Sequence, residues 1–148
     1  AQLVTLSTKP EDSNYLDFTT LNWEALQHYK GLIIRTSPNS ITKLNRDYSG
    51  TSTPCIAADD MQKIMEAGIL HLIVDLPSVD PEWDGGAKAS HFIYLQYPDN
   101  PRLDASITEF AFIRDDISDG PYLLKLNISN FESDAAASRP VLYPILAK

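Results

Sequence analysis

Cysteine is nearly absent from this chain: Cys55 is the only one among 148 residues. A lone thiol excludes an internal disulfide and any CxxC metal knuckle, and it suits a reducing compartment, so a cytoplasmic location is the expectation. Positive charge is scarce as well. Twelve Lys and Arg stand against 20 Asp and Glu, a net charge of -8, which repels phosphate backbones and excludes broad electrostatic capture of nucleic acid. The expected ligand is a small molecule. Long apolar runs are missing too, since none approaches the about 20 residues a helix needs to cross a bilayer, and no membrane partner is expected. The histidines are few and scattered, at 28, 71 and 91, which rules out an i, i+4 metal pair on one helix.

Hydrophobic residues make up 43% of the chain, enough for one domain over 1–148 with a sizeable core, but hardly for two. The chain enters at once a strand-like segment, Leu3-Val4-Thr5-Leu6, with neither Met nor leader. Such a strand needs a neighbour to pair with, and a truncated or cleaved product is expected. Thr20 or Asn22 caps a short helix through Tyr29, ended by Gly31. Leu32 to Thr36 reads as a strand entering a long loop over 39–56. Ala58-Asp59-Asp60 opens a second helix with its carboxylates at the positive end, Met61, Ile64 and Met65 share one face, and Gly68 stands where a C-terminal cap belongs. The strand His71 to Asp75 then completes a parallel strand-helix-strand unit. Further strands are expected at Ile107 to Ile113, Leu123 to Ile128 and in the tail Val141-Leu142-Tyr143. The class is α/β, with a mixed sheet and a few flanking helices.

The densest chemistry lies between Asp75 and His91, where an apolar strand runs into the polar, turn-rich loop Asp75-Leu76-Pro77-Ser78-Val79-Asp80-Pro81-Glu82-Trp83-Asp84-Gly85-Gly86. Loops held at strand ends by a rigid scaffold are where ligands are met. Asp75, Asp80, Glu82 and Asp84 lack the ligand spacing of an EF-hand and read as turn formers and solvated charges. Asp84-Gly85-Gly86 is a turn that uses glycine at positive φ. Ser78, His91 and Asp75 are the ingredients of a nucleophilic triad, but no Gly-x-Ser-x-Gly elbow surrounds Ser78. His28, near a helix end, and His71, at the start of a buried strand, read as structural. For His91 the spacing leaves a functional and a structural role equally open. Glu109, within Ile107-Thr108-Glu109-Phe110, either faces solvent, the preferred reading, or is buried with a cation.

The block Asp75-Leu76-Pro77-Ser78-Val79-Asp80, followed by Ser90-His91 and Thr108-Glu109, resembles the C-terminal half of the cyclase family of metal-dependent hydrolases, which includes kynurenine formamidases and isatin hydrolases. The segments Ile33 to Asn39, Gly120-Pro121-Tyr122-Leu123-Leu124-Lys125-Leu126 and Ser138-Arg139-Pro140-Val141-Leu142-Tyr143 resemble that family as well. The resemblance covers nearly the whole chain, and its specificity lies in the order and spacing of the segments. It implies a cyclase-like (swivelling β/β/α) fold, incomplete at its N-terminus, and hydrolysis of a formyl or cyclic amide by water activated on zinc or manganese. It casts His91 and Glu109 as catalytic proton-transfer residues or second-site metal ligands. Asp75, Pro77, Ser78 and Asp80 become pocket wall.

Two departures from the family stand out. Its principal metal motif, His-x-Gly-Thr-His-x-Asp, has no counterpart here, and Gln96-Tyr97-Pro98-Asp99-Asn100-Pro101-Arg102 reads as an insertion between His91 and Glu109. The resemblance therefore implies a chain that is inactive alone, completed by an N-terminal segment or a partner chain, part of a homo-oligomer, and acting on a small amide. The alternative is a non-catalytic binding module that kept the fold and lost the metal site.

Overall fold

The computed structural model describes residues 1–12 and 14–145. Its frame is a six-stranded mixed sheet in the order β4-β3-β2-β1-β5-β6. The strands are β1 (Gln2–Leu6), β2 (Gly31–Thr36), β3 (His71–Val74), β4 (Ser106–Thr108), β5 (Gly120–Ile128) and β6 (Ser138–Pro144). β1 to β4 run parallel, with Leu3 beside Ile33 and Ile33 beside Ile73, whereas β5 lies antiparallel to β1 and β6 antiparallel to β5.

Every residue of β2 is buried, the mark of a parallel strand covered on both faces. Side chains alternate across a sheet, and the core divides accordingly. Leu32, Ile34, Leu72 and Val74 face the helices with Met61 and Ile64 of α2 (Ala58–Glu66) and Tyr94 of α3 (Ala89–Leu95), while Leu3, Ile33 and Ile73 pack with Ile113 on the opposite face. Half-buried Leu124 and Leu142 of the β5–β6 hairpin extend this second cluster.

The expected β2–α2–β3 unit is present, its two strands parallel, and Gly68 leaves α2 at φ 80, a conformation glycine adopts without a Cβ penalty. The first helix is shorter than expected. α1 spans Trp23–Leu26, its start held by Asn22 Oδ1, which accepts from Ala25 N–H at 3.0 Å. Gly31 opens β2 instead of ending that helix; a Cβ on it would stand 2.9 Å from the Ala1 Cβ, so close approach of the chain is what selects glycine there. The loop 39–56 contains the 3-10 helix Ile41–Asn45. The strand expected over Ile107 to Ile113 stops at Thr108. Phe110 takes φ 57, which an extended strand cannot accommodate, and its N–H turns to Leu76 O at 2.9 Å.

Candidate active site

The four parallel strands end on the same side, and the loops leaving their carboxyl ends carry the candidate residues, the position where open α/β sheets bind ligands. Asp75 directly follows β3. Its side chain is 1% exposed, both oxygens accept from Thr36 N–H at 3.1 and 3.0 Å, and Lys43 Nζ stands 2.9 Å from Oδ2. It ties the ends of β2 and β3 together. Asp75 and Pro77 line a small hollow of about 190 Å³ beside Lys43, Arg46 and Tyr48. Pro77 also joins Ser78 and Asp80 around a neighbouring hollow.

Asp80 turns the other way. Oδ1 accepts from Ser90 N–H at 2.7 Å, and Oδ2 accepts from His91 N–H at 3.1 Å and lies 2.7 Å from the His91 ring Nδ1. The reason is local: the residue preceding α3 is Lys88, at φ 43 and with no capping side chain, so the free N–H groups of the first turn are satisfied from across the loop. His91 thus sits on the first turn of α3, and its ring is held from behind. Its Nε2 faces Glu109 Oε1 at 3.6 Å. Glu109 follows β4, and the same oxygen accepts from Val79 N–H at 2.9 Å, which pins it to the β3 loop. Glu109 is therefore neither solvent-facing nor fully buried: its side chain is 27% exposed, against 29% for His91 and 5% for Asp80.

The charges follow from this packing. The hydrogen bond to Asp80 raises the His91 pKa above its ordinary 6.5, burial opposes the rise, and Glu109 adds to it. For Asp80, burial pushes upward, but the bonds from the His91 ring, Ser90 N–H and His91 N–H outweigh it and hold the carboxyl below its ordinary 3.8. The two groups favour a charged pair.

His91, Ser78 and Asp80 form one side of a cleft of about 570 Å³, with Phe92, Leu95 and Tyr97 as its apolar wall and Lys88 at its margin. That volume is in the range of small-molecule sites. The Phe92 and Tyr97 rings pack 5.4 Å apart, so part of the insertion-like stretch is cleft wall.

Ser78, Asp75 and His91 do not come together as a triad. Ser78 Oγ accepts from Asp80 N–H at 3.0 Å, and the carboxylate on His91 is Asp80. His71 Nδ1 pairs with Ser106 Oγ at 3.0 Å between β3 and β4, the structural role expected of it, while His28 is exposed. The Asp80–His91 pairing was missed at the level of sequence. Its one signal was the start of α3, which lacks a capping residue of its own.

Imidazole with carboxylate is a donor set that suits a divalent metal ion. Two such donors on one tetrahedral cation stand about 3.4 Å apart at ordinary bond lengths, near the observed 3.6 Å. His91 and Glu109 therefore fit as two donors of a larger set. Among the described residues no group of three or more His, Cys, Asp and Glu is arranged to hold a metal ion.

No family model matches the chain, and no curated protein matches it significantly. Two solved structures are similar across 95% of it. One is a potential metal-dependent hydrolase with cyclase activity, at TM-score 0.64 and 14% identity; the other is a predicted metal-dependent hydrolase from Bacillus stearothermophilus, at 0.60 and 14%. These likenesses establish the fold as the mixed-sheet α/β architecture of those structures. The chain spans 62% and 61% of their lengths.

Proposed function

We propose that the chain is the C-terminal portion of a metal-dependent hydrolase that cleaves carbon–nitrogen amide bonds, with an N-formyl aromatic amine or a cyclic amide as substrate. One observation carries this reading: His91 Nε2 faces Glu109 Oε1 at 3.6 Å at the carboxyl end of the parallel strands, beside an apolar cleft. The shared fold with structures described as metal-dependent hydrolases supports it.

His91 and Glu109 would hold a divalent cation, zinc or manganese, together with donors from an N-terminal segment or a partner chain. Bound there, the cation supplies Lewis-acid polarisation and a lowered pKa for water. The chain's own residues do the rest. Hydrolysis adds water to the carbonyl carbon, breaks the C–N bond and requires a proton on the departing nitrogen. Glu109 is the group to carry that proton, because one oxygen is fixed by Val79 N–H and the other makes no hydrogen bond among the described residues. Phe92, Leu95 and Tyr97 take the apolar body of the substrate and exclude water.

The test is amide hydrolysis by protein carrying the upstream coding sequence, with zinc or manganese added, against the 148-residue chain alone. We expect turnover in the first, none in the second, and a loss of about 100-fold or more on His91→Ala. Full activity in His91→Ala overturns the site assignment. The paucity of donors favours a second reading, a binding module that kept the fold and lost the metal site. It predicts no turnover in either form.

A further inference from the structure

We propose that Asp80 is a positioning residue that sets the rotamer of His91 and, in the neutral ring, its tautomer, so that the free lone pair lies on Nε2, the nitrogen on the Glu109 side. The assignment rests on the reading of His91 as a functional group, and the geometry carries it. Asp80 Oδ2 lies 2.7 Å from Nδ1, and a carboxylate can only accept, so in the neutral ring the proton belongs on Nδ1. The other nitrogen is then a lone-pair donor, and its neighbour in this structure is Glu109 Oε1. Were the proton on Nε2, the Nδ1 lone pair would point at the Asp80 carboxylate, lone pair against lone pair.

The same carboxylate also accepts the Ser90 and His91 backbone N–H groups. One nearly buried side chain thus fixes where α3 begins and how the first functional side chain on it is turned. That coupling removes freedom that a histidine at 29% exposure would otherwise keep. A carboxylate behind a histidine in this way orients the ring and raises the basicity of its far nitrogen.

The test is Asp80→Asn. With its oxygen kept on the Ser90 N–H, the amide turns its NH2 to the ring and can only donate, which forces Nδ1 to accept and moves the proton to Nε2, at the loss of the bond from His91 N–H to the same position. Long-range proton–nitrogen NMR correlations of the imidazole, read at alkaline pH where the ring is neutral, report the tautomer directly. We expect the Nδ1–H form to predominate in the native chain and in Glu109→Gln, and the Nε2–H form to predominate in Asp80→Asn. A native chain with Nε2–H overturns the proposal. So does inversion by Glu109→Gln, or a folded Asp80→Asn that retains Nδ1–H with its amide nitrogen turned to the ring. If Asp80→Asn fails to fold, the native and Glu109→Gln spectra still decide. Absence of amide hydrolysis alongside the expected tautomers would remove the proposed reaction and leave this assignment standing.

Discussion

His91 and Asp80 stabilise each other as charged groups, and the direction of each shift sets the pH window in which they do so. The folded His91 has a raised pKa, so its contribution is complete below 6.5 and is lost as pH rises through the folded value. Asp80 has a lowered pKa, so its contribution is present above 3.8 and is lost as pH falls through the folded value. The difference in Tm between the native chain and Asp80→Asn should therefore be greatest between 3.8 and 6.5 and shrink on both sides. A difference that is flat from acid to alkaline pH would show that the pair does not hold. Cys55 is a second residue whose chemistry is set by its surroundings. Burial, then the charges of Asp80 and Asp12, push its thiol from 9.0 up to about 11, so the reactive thiolate is scarce near neutrality. Native protein should react with a thiol reagent far more slowly than denatured protein, and equal rates would contradict the buried placement.

Among the elements, β2 is held in part by groups outside the sheet. The buried Asp75 at the end of β3 caps the Thr36 N–H of β2, and Lys43 from the 3-10 helix neutralises it. Replacing Lys43 with Met leaves that carboxylate without its cation, and a loss of about 3–5 kcal/mol is expected in urea unfolding. Gly31→Val tests the start of the same strand. A side chain there meets Ala1 at 2.9 Å and Leu124 at 3.3 Å, so a destabilisation of about 1–3 kcal/mol should appear as a lower urea midpoint. These two elements also show what local pattern can reveal. β2 and α2 were legible because their apolar residues are dense or periodic, whereas Phe92 to Leu95 reads only as a short apolar run that fits helix or strand equally. α3 begins where Asp80, ten residues before Ser90, accepts the free N–H groups of its first turn. The strand after Ser106 is shorter than its β-rich run implies because Phe110 turns the chain at positive φ, and a bond to Leu76 offsets that turn.

At the scale of the whole molecule, the β5–β6 hairpin is the least integrated part of the sheet. β5 is in register with β1 only at Gln2 with Pro121 and Leu3 with Gly120, so from Leu123 onward its outer edge has no strand neighbour among the described residues. Leu123, Ile128 and Tyr143 are exposed on this hairpin. An open edge with apolar side chains favours pairing with another chain, and a homo-oligomer is the expected outcome. Sedimentation should show a species larger than one chain, shifted toward monomer by Leu123→Lys, and a native chain that stays monomeric at high concentration would count against it.

The sequence by itself determined the α/β class, the parallel β2–α2–β3 unit and the segments that hold chemistry, because burial and turn formation are written locally in apolar periodicity and in glycine placement. Only the tertiary structure decided which of those residues meet. Asp75 and Asp80 are five residues apart and similar on paper, yet one neutralises Lys43 and the other holds His91. The strand end and the loop that follows send their side chains to different neighbours. Those neighbours come from residues far away in the chain, whose positions depend on how the sheet and helices pack.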